Sequence, residues 1–176
     1  NPTGTLVSPN TVKAFCEEVS RRVTVFADEA YLEFLEPSQQ VSMVELVKQG
    51  RDVIVSRTFS KIYGLAGLRV GYIIARPDIA KKIGRHHPGI PTNQAGLAAA
   101  KASLGDKDFM ELSRNRNAVA LKHTTDYLDS RKYFYGKSHT NFVMFDPNAD
   151  GYNIMKKLAG KGIGIRNVGG IGAVGD

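Results

Sequence analysis

The chain has 176 residues, 42% of them hydrophobic, and a formal net charge of +7, enough for one domain or one and a half. No long uncharged apolar run is present, which excludes a helical membrane span, and the start at Asn1-Pro2 shows no basic-then-apolar leader. The basic residues are scattered (Arg114 with Arg116, Lys156 with Lys157) and do not interleave with aromatics, so the charge suits a solvated basic surface or a pull on anionic small molecules rather than nucleic acid.

In chain order, residues 1–5 are turn-rich, and Ser8 reads as an N-cap with Pro9 at the first helical position. Val12, Phe15, Cys16 and Val19 fall at i, i+3, i+4 and i+7, which predicts an amphipathic helix to about Arg22. Cys16, the single cysteine, leaves no disulfide within the chain and reads as a small core hydrophobe. Val23 to Ala27 predicts a buried strand with Asp28 and Tyr31 at its carboxyl end. A loop over 32–42 and a short helix stopped at Gly50 follow. Val53-Ile54-Val55 predicts a second buried strand. It runs into Ser56 to Lys61, then through a glycine-punctuated loop to Arg69 and a further apolar run, Val70 to Ala75. With no crossover helix before it, that run is expected antiparallel to its neighbour.

Further on, Pro77 to Ile83 predicts a short helix, Arg85 to Pro91 a stiff link, and Asn93 to Leu104 an alanine-rich helix. Asp106 caps a long helical stretch to about Arg131. Asn141 to Phe145 predicts a strand, Tyr152 to Leu158 a helix, and Ile163 to Arg166 a last short strand. Strand, helix, strand with polar residues at the carboxyl ends is the pattern of an open, mostly parallel α/β sheet that binds ligands along that edge.

The chemistry-bearing residues gather there. Phe59, Ile62, Leu65 and Leu68 surround Lys61 with apolar neighbours, which favours its amine as a nucleophile. Asp28 follows a buried run and needs a partner. Lys61 and Arg69, held eight positions apart at the ends of rigid elements, suit a site where a small anionic molecule is gripped and attacked. Arg57 and Arg76 read as ordinary surface charges. Gly170-x-Gly172-x-x-Gly175 spells a dinucleotide fingerprint without the helix and strand it needs, and reads as a flexible loop. His86-His87 lacks the company of a metal site, so no metal is expected.

Together, Ser56-x-Thr58-x-Ser60-Lys61 and Gly64-Leu65-Ala66-Gly67-Leu68-Arg69-x-Gly71-Tyr72 resemble the Schiff-base lysine segment of fold-type-I, class I/II aminotransferases dependent on pyridoxal 5'-phosphate (PLP). The likeness is greatest to the histidinol-phosphate branch. Asn1-Pro2-Thr3-Gly4-Thr5 and Asp28-Glu29-Ala30-Tyr31 agree with it in family order. The resemblance implies a three-layer α/β sandwich: residues 1–105 form part of the large domain, and 106–176 an incomplete small α/β domain joined by a long helix. It implies that Lys61 forms the Schiff base with PLP and moves a proton during transamination between an amino acid and a 2-oxo acid. Asp28 would pair with the protonated pyridine nitrogen, Tyr31 and Asn1 with the phenolic oxygen, and Thr58, Ser60 and Arg69 with the phosphate. Arg166 matches an arginine that contacts substrate in some members.

The same resemblance implies a homodimer with active sites at its interface, and a donor with an imidazole or aromatic side chain, while the single cysteine makes a reducing, cytoplasmic compartment the expectation. Because family segments are absent, it also implies a fragment of a longer polypeptide. A decarboxylase or β-lyase on the same scaffold, and a non-catalytic fragment, are the alternatives.

Overall fold

The computed structural model describes residues 3–86, 89 and 92–169. Asn1, His87 and the glycine run of 170–175 lie outside them, as does much of the link expected before Asn93. The elements are α1 (Pro9–Val19), β1 (Val25–Asp28), α2 (Val44–Lys48), β2 (Val53–Thr58), β3 (Gly71–Ile74), α3 (Pro77–Arg85), α4 (Gln94–Ser103), α5 (Lys107–Ser130) and α6 (Gly151–Ala159). Short 3-10 turns at Leu32–Phe34 and Pro37–Gln39 occupy the expected loop, and another at Ala66–Leu68 lies in the glycine-punctuated stretch. The chain divides into two compact units, one of Leu6–Val119 and one that joins the described residues after Val119 to Thr3–Thr5.

The first unit is built on a three-stranded sheet ordered β1-β2-β3. β1 and β2 are parallel, with Ala27 opposite Val55 and Asp28 opposite Ser56. β3 runs antiparallel to β2, with Ile74 opposite Val55 and Gly71 opposite Thr58, as the missing crossover required. Gly71 is needed here because a Cβ would stand 2.9 Å from the Arg57 carbonyl oxygen.

Side chains alternate across a strand, so each strand offers one set of residues to each face. Val25, Val53 and Val55 point to a core completed by Cys16, Met43 and Leu46, with Val12, Val19, Ala27, Val44, Val47 and Ile74 packed around it. The helical periodicity of α1 and the β-branched strands thus meet on one face of the sheet. Full burial of a side chain such as Val53, Val55 or Leu46 contributes roughly 1.5–3 kcal/mol. A second cluster, Phe59, Val70 and Ala100 with Tyr63, Leu65 and Leu68, holds the chain beyond β2.

Helix ends follow local chemistry. Ser8 stands at the N-cap of α1 without a side-chain cap bond, and Pro9 opens the helix. The helix stops at Val19 rather than Arg22 because Arg21 and Arg22 donate to Glu18 and Val19, three residues back. Asp106 does cap α5, its Oδ1 accepting from the Phe109 N–H at 3.0 Å.

In the second unit, Asp150 caps α6 by accepting from the Tyr152 N–H at 2.9 Å. The two strands expected here do not form. Over 141–145 there is only a single antiparallel bridge, Tyr135 with Phe145, flanked by bonds from Gly136 N–H to Met144 and from Asp146 N–H to Phe134. Ile163 to Arg166 is exposed and carries no strand. An apolar run becomes a strand only when a continuous stretch of backbone pairs with it; among the described residues 141–145 meets only that one bridge and 163–166 has no strand partner.

Candidate active site

The site is built where β1 and β2 end side by side. Asp28 closes β1 opposite Ser56, and its Oδ1 accepts from the Ser56 hydroxyl at 3.0 Å and from the Ala30 N–H at 3.1 Å. The carboxylate is exposed, although the preceding run suggested burial. Asp28 lies on the sheet face opposite the core, so it meets a hydroxyl rather than apolar side chains.

Three residues on, Tyr31 presents its ring to the Lys61 ammonium, which lies 5.1 Å from the ring centroid. Such a contact contributes about 0.5–1 kcal/mol where solvent reaches it. Lys61 itself is half-buried, while Phe59 and Ile62 on either side of Ser60-Lys61 are buried. The loop closes on itself through Phe59 N–H to the Val70 carbonyl at 3.1 Å and Leu65 N–H to the Phe59 carbonyl at 3.0 Å. Phe59 also stacks obliquely with Tyr63 and Tyr72, centroids 5.0 and 5.6 Å away. Burial pushes both tyrosine phenols up from their ordinary range. Lys61 is therefore carried by a loop pinned from below.

The remaining expected residues divide. Thr58 Oγ1 accepts from the Ser60 N–H at 3.0 Å, so these two form one local turn at the end of β2. Arg69 is exposed, and its Nη1 donates to the Ala66 carbonyl at 2.8 Å within its own loop. Its backbone is left-handed, φ 54°, a conformation that costs a non-glycine residue about 1–3 kcal/mol and persists where surroundings enforce it. Asn93 ties that loop to α4, donating to the Leu68 carbonyl at 2.9 Å and accepting from Gly96 N–H at 2.5 Å. Arg166 is exposed in the second unit.

Arg57 corrects the sequence reading. It is not a surface charge: its side chain is 16% exposed and reaches Glu29 at 2.7 Å and Glu33 at 2.5 Å. Burial alone would weaken its charge, and the two carboxylates more than offset that, so its pKa is raised. Arg76, the other arginine set aside, donates to the Gly50 carbonyl and to Asp78 at the surface. The signal for Arg57 was its register, since it continues the face of Val53 and Val55. Ser56, the hydroxyl that orients Asp28, was likewise present in the motif without being given a role.

The architecture is shared with solved structures. A histidinol-phosphate aminotransferase from Sinorhizobium meliloti, determined in complex with pyridoxal-5'-phosphate, matches with TM-score 0.84 and 30% identity, covering 94% of this chain and 46% of that one. Another from Clostridium acetobutylicum matches with TM-score 0.80 and 26% identity over 94% of this chain and 51% of that one. Fold and site thus define the α/β class of PLP fold-type-I transferases.

The aminotransferase class I and II family profile matches residues 1–167, and the chain belongs to that family. Among curated relatives, histidinol-phosphate aminotransferases from Brevibacillus brevis and Ralstonia nicotianae are 36% and 39% identical over 167 and 175 residues. These alignments cover 95% and 98% of this chain but 46% and 47% of the relatives, so the chain spans about half their length.

Proposed function

We propose that this chain carries the lysine-bearing part of a PLP-dependent aminotransferase, which moves an amino group between an amino acid and a 2-oxo acid. The observation that carries the reading is the meeting of the Lys61 ammonium with the Tyr31 ring at 5.1 Å, at the edge where Ser56 holds Asp28. The donor set fits the cofactor. PLP has an aldehyde, a basic ring nitrogen and a dianionic phosphate, and here an amine, a carboxylate and a hydroxyl turn with a nearby arginine loop answer them. Bound PLP supplies an electron sink for the bond-breaking step at the substrate α-carbon.

In this reading Lys61 Nζ holds the cofactor and afterwards carries the proton on and off the α-carbon. Asp28 keeps the ring nitrogen protonated through a charge-assisted bond of roughly 1.5–3 kcal/mol. Tyr31 donates to the phenolic oxygen, and Asn1 takes the matching role from its motif. Thr58 and Ser60 donate to the phosphate and Arg69 neutralises it, while Arg166 contacts substrate. Residues 1–105 then belong to the cofactor-carrying domain and 106–176 to the smaller one. A histidinol-phosphate donor, supported by the names of the relatives above, or an aromatic one completes the proposal, together with a cytoplasmic homodimer. Decarboxylase structures from Sulfurospirillum multivorans and Porphyromonas gingivalis, at 20% and 24% identity, share the fold alone.

The test is spectroscopic. PLP added to the purified polypeptide should give a visible absorption band that borohydride fixes to Lys61 and that Lys61→Ala abolishes. An amino acid donor should bleach the band and a 2-oxo acid restore it. A folded sample without the band defeats the proposal.

A further inference from the structure

We propose that Arg57 is a positioning residue for the cofactor contacts of Asp28 and Tyr31, a role that rests on the PLP reading above. The two expected contact residues lie on one short segment, and that segment is held from the other side of the sheet. Glu29, next to Asp28, turns into the core-side face, where its side chain is 8% exposed. Its carboxylate accepts from the Met43 N–H at 2.6 Å and from the Ser42 hydroxyl at 2.8 Å. Glu33, two residues past Tyr31, has its carboxylate on Arg57 Nη1 and its carbonyl on Arg114 Nε at 3.1 Å. Arg57 Nη2 reaches Glu29 at 2.7 Å and Ser42 at 3.1 Å.

One planar guanidinium therefore grips Glu29, the residue next to Asp28, and Glu33, two residues past Tyr31, so it brackets Tyr31 and abuts Asp28. It does so from the residue preceding Thr58, so the same strand end fixes the hydroxyl turn. A fork is required, because a lysine ammonium is a compact charge on a flexible stem and cannot hold two carboxylates in one plane. The geometry makes the acid at Glu33 more than a charge balance: it sets the distance over which the backbone between the two carboxylates can move.

The experiment compares wild type with Arg57→Lys and the milder Glu33→Gln, in the longest natural polypeptide containing this chain. Hydrogen exchange is followed without cofactor, and PLP affinity is then measured by absorbance titration. Both variants should exchange faster over 28–34 while β2 stays protected, and should bind PLP about tenfold more weakly. Unchanged exchange over 28–34 in a folded variant, or faster exchange with unchanged PLP affinity, overturns the positioning role and leaves a purely structural ion pair. If Arg57→Lys does not fold, Glu33→Gln decides by the same two readings. Wild type that fails to bind PLP overturns the cofactor reading itself, and the role with it. The exchange difference, measured without cofactor, shows which of the two failed.

Discussion

The two faces of the three-stranded sheet carry different kinds of residue on the same strands. On one face Val25, Val53 and Val55 are sealed beneath α1 and α2, and where that face reaches the carboxyl end it turns ionic, with Glu29 against Arg57. On the other face Phe26 is 61% exposed and Ile73 39%, and at the same end it carries Asp28, Ser56 and Thr58. Nothing among the described residues buries this second face as the helices bury the first. Rigidity and chemistry are thus divided by the pleat. The closed side fixes where the strand ends lie, and the open side presents the groups that a ligand can reach.

That division can be broken by a pair of substitutions. Leu46 is fully buried against the closed face, so Leu46→Ala should cost about 2–5 kcal/mol through lost burial and the cavity left behind. Phe26→Ser on the open face should cost no more than about 0.5 kcal/mol in this chain. Urea unfolding of both variants gives the comparison directly. Equal losses would show that the open face is packed after all.

Ser56→Ala asks the converse question on the open side. The hydroxyl donates to Asp28 at 3.0 Å in a solvent-exposed setting, so its loss should leave the urea midpoint nearly unchanged. PLP affinity should fall by a factor of about five, corresponding to roughly 1 kcal/mol for one solvent-exposed hydrogen bond. A large stability loss with unaltered affinity would make Ser56 part of the scaffold instead.

Most of this division was legible in the alternation of the strands. Val25-Phe26-Ala27-Asp28-Glu29 and Val53-Ile54-Val55-Ser56-Arg57 carry the same pattern in parallel register. The pairing of Val25 with Val53 and Ala27 with Val55 brings Glu29 and Arg57 next on the buried side. Arg57 reads as a surface charge when weighed against the ligand motif, and as a buried-face residue when weighed against its own strand. The lysine loop, the antiparallel third strand and the Asp106 cap were readable because local chemistry determines them. The runs at 141–145 and 163–166 were not, since pairing depends on a partner that no local pattern reveals. The left-handed backbone of Arg69 was equally hidden, because it sits in a loop tied from Phe59 to Val70 and from Leu68 to Asn93, contacts that no local pattern reveals.

The smallest effect comes from a thiol buried on the closed side. Cys16 is 2% exposed, and burial, then the nearby Glu29 carboxylate, push its thiol up from the ordinary value of 9.0. The folded chain therefore holds this proton more tightly than the unfolded chain does. The associated stability is present below the unfolded value and is lost as pH rises past it. Between about pH 8 and pH 9.5, urea midpoints of wild type should fall slightly more steeply than those of Cys16→Ala. Tyr63 and Tyr72, also raised, start from 10.0 and enter only at higher pH. Glu29→Gln should flatten the Cys16 slope in part, because it removes the second cause and leaves the first. Iodoacetamide supplies an independent check: labelling of Cys16 should be blocked in the folded chain and rapid in urea. Ready labelling under native conditions would mean that the closed face opens, and the contrast between the two faces would then be one of degree.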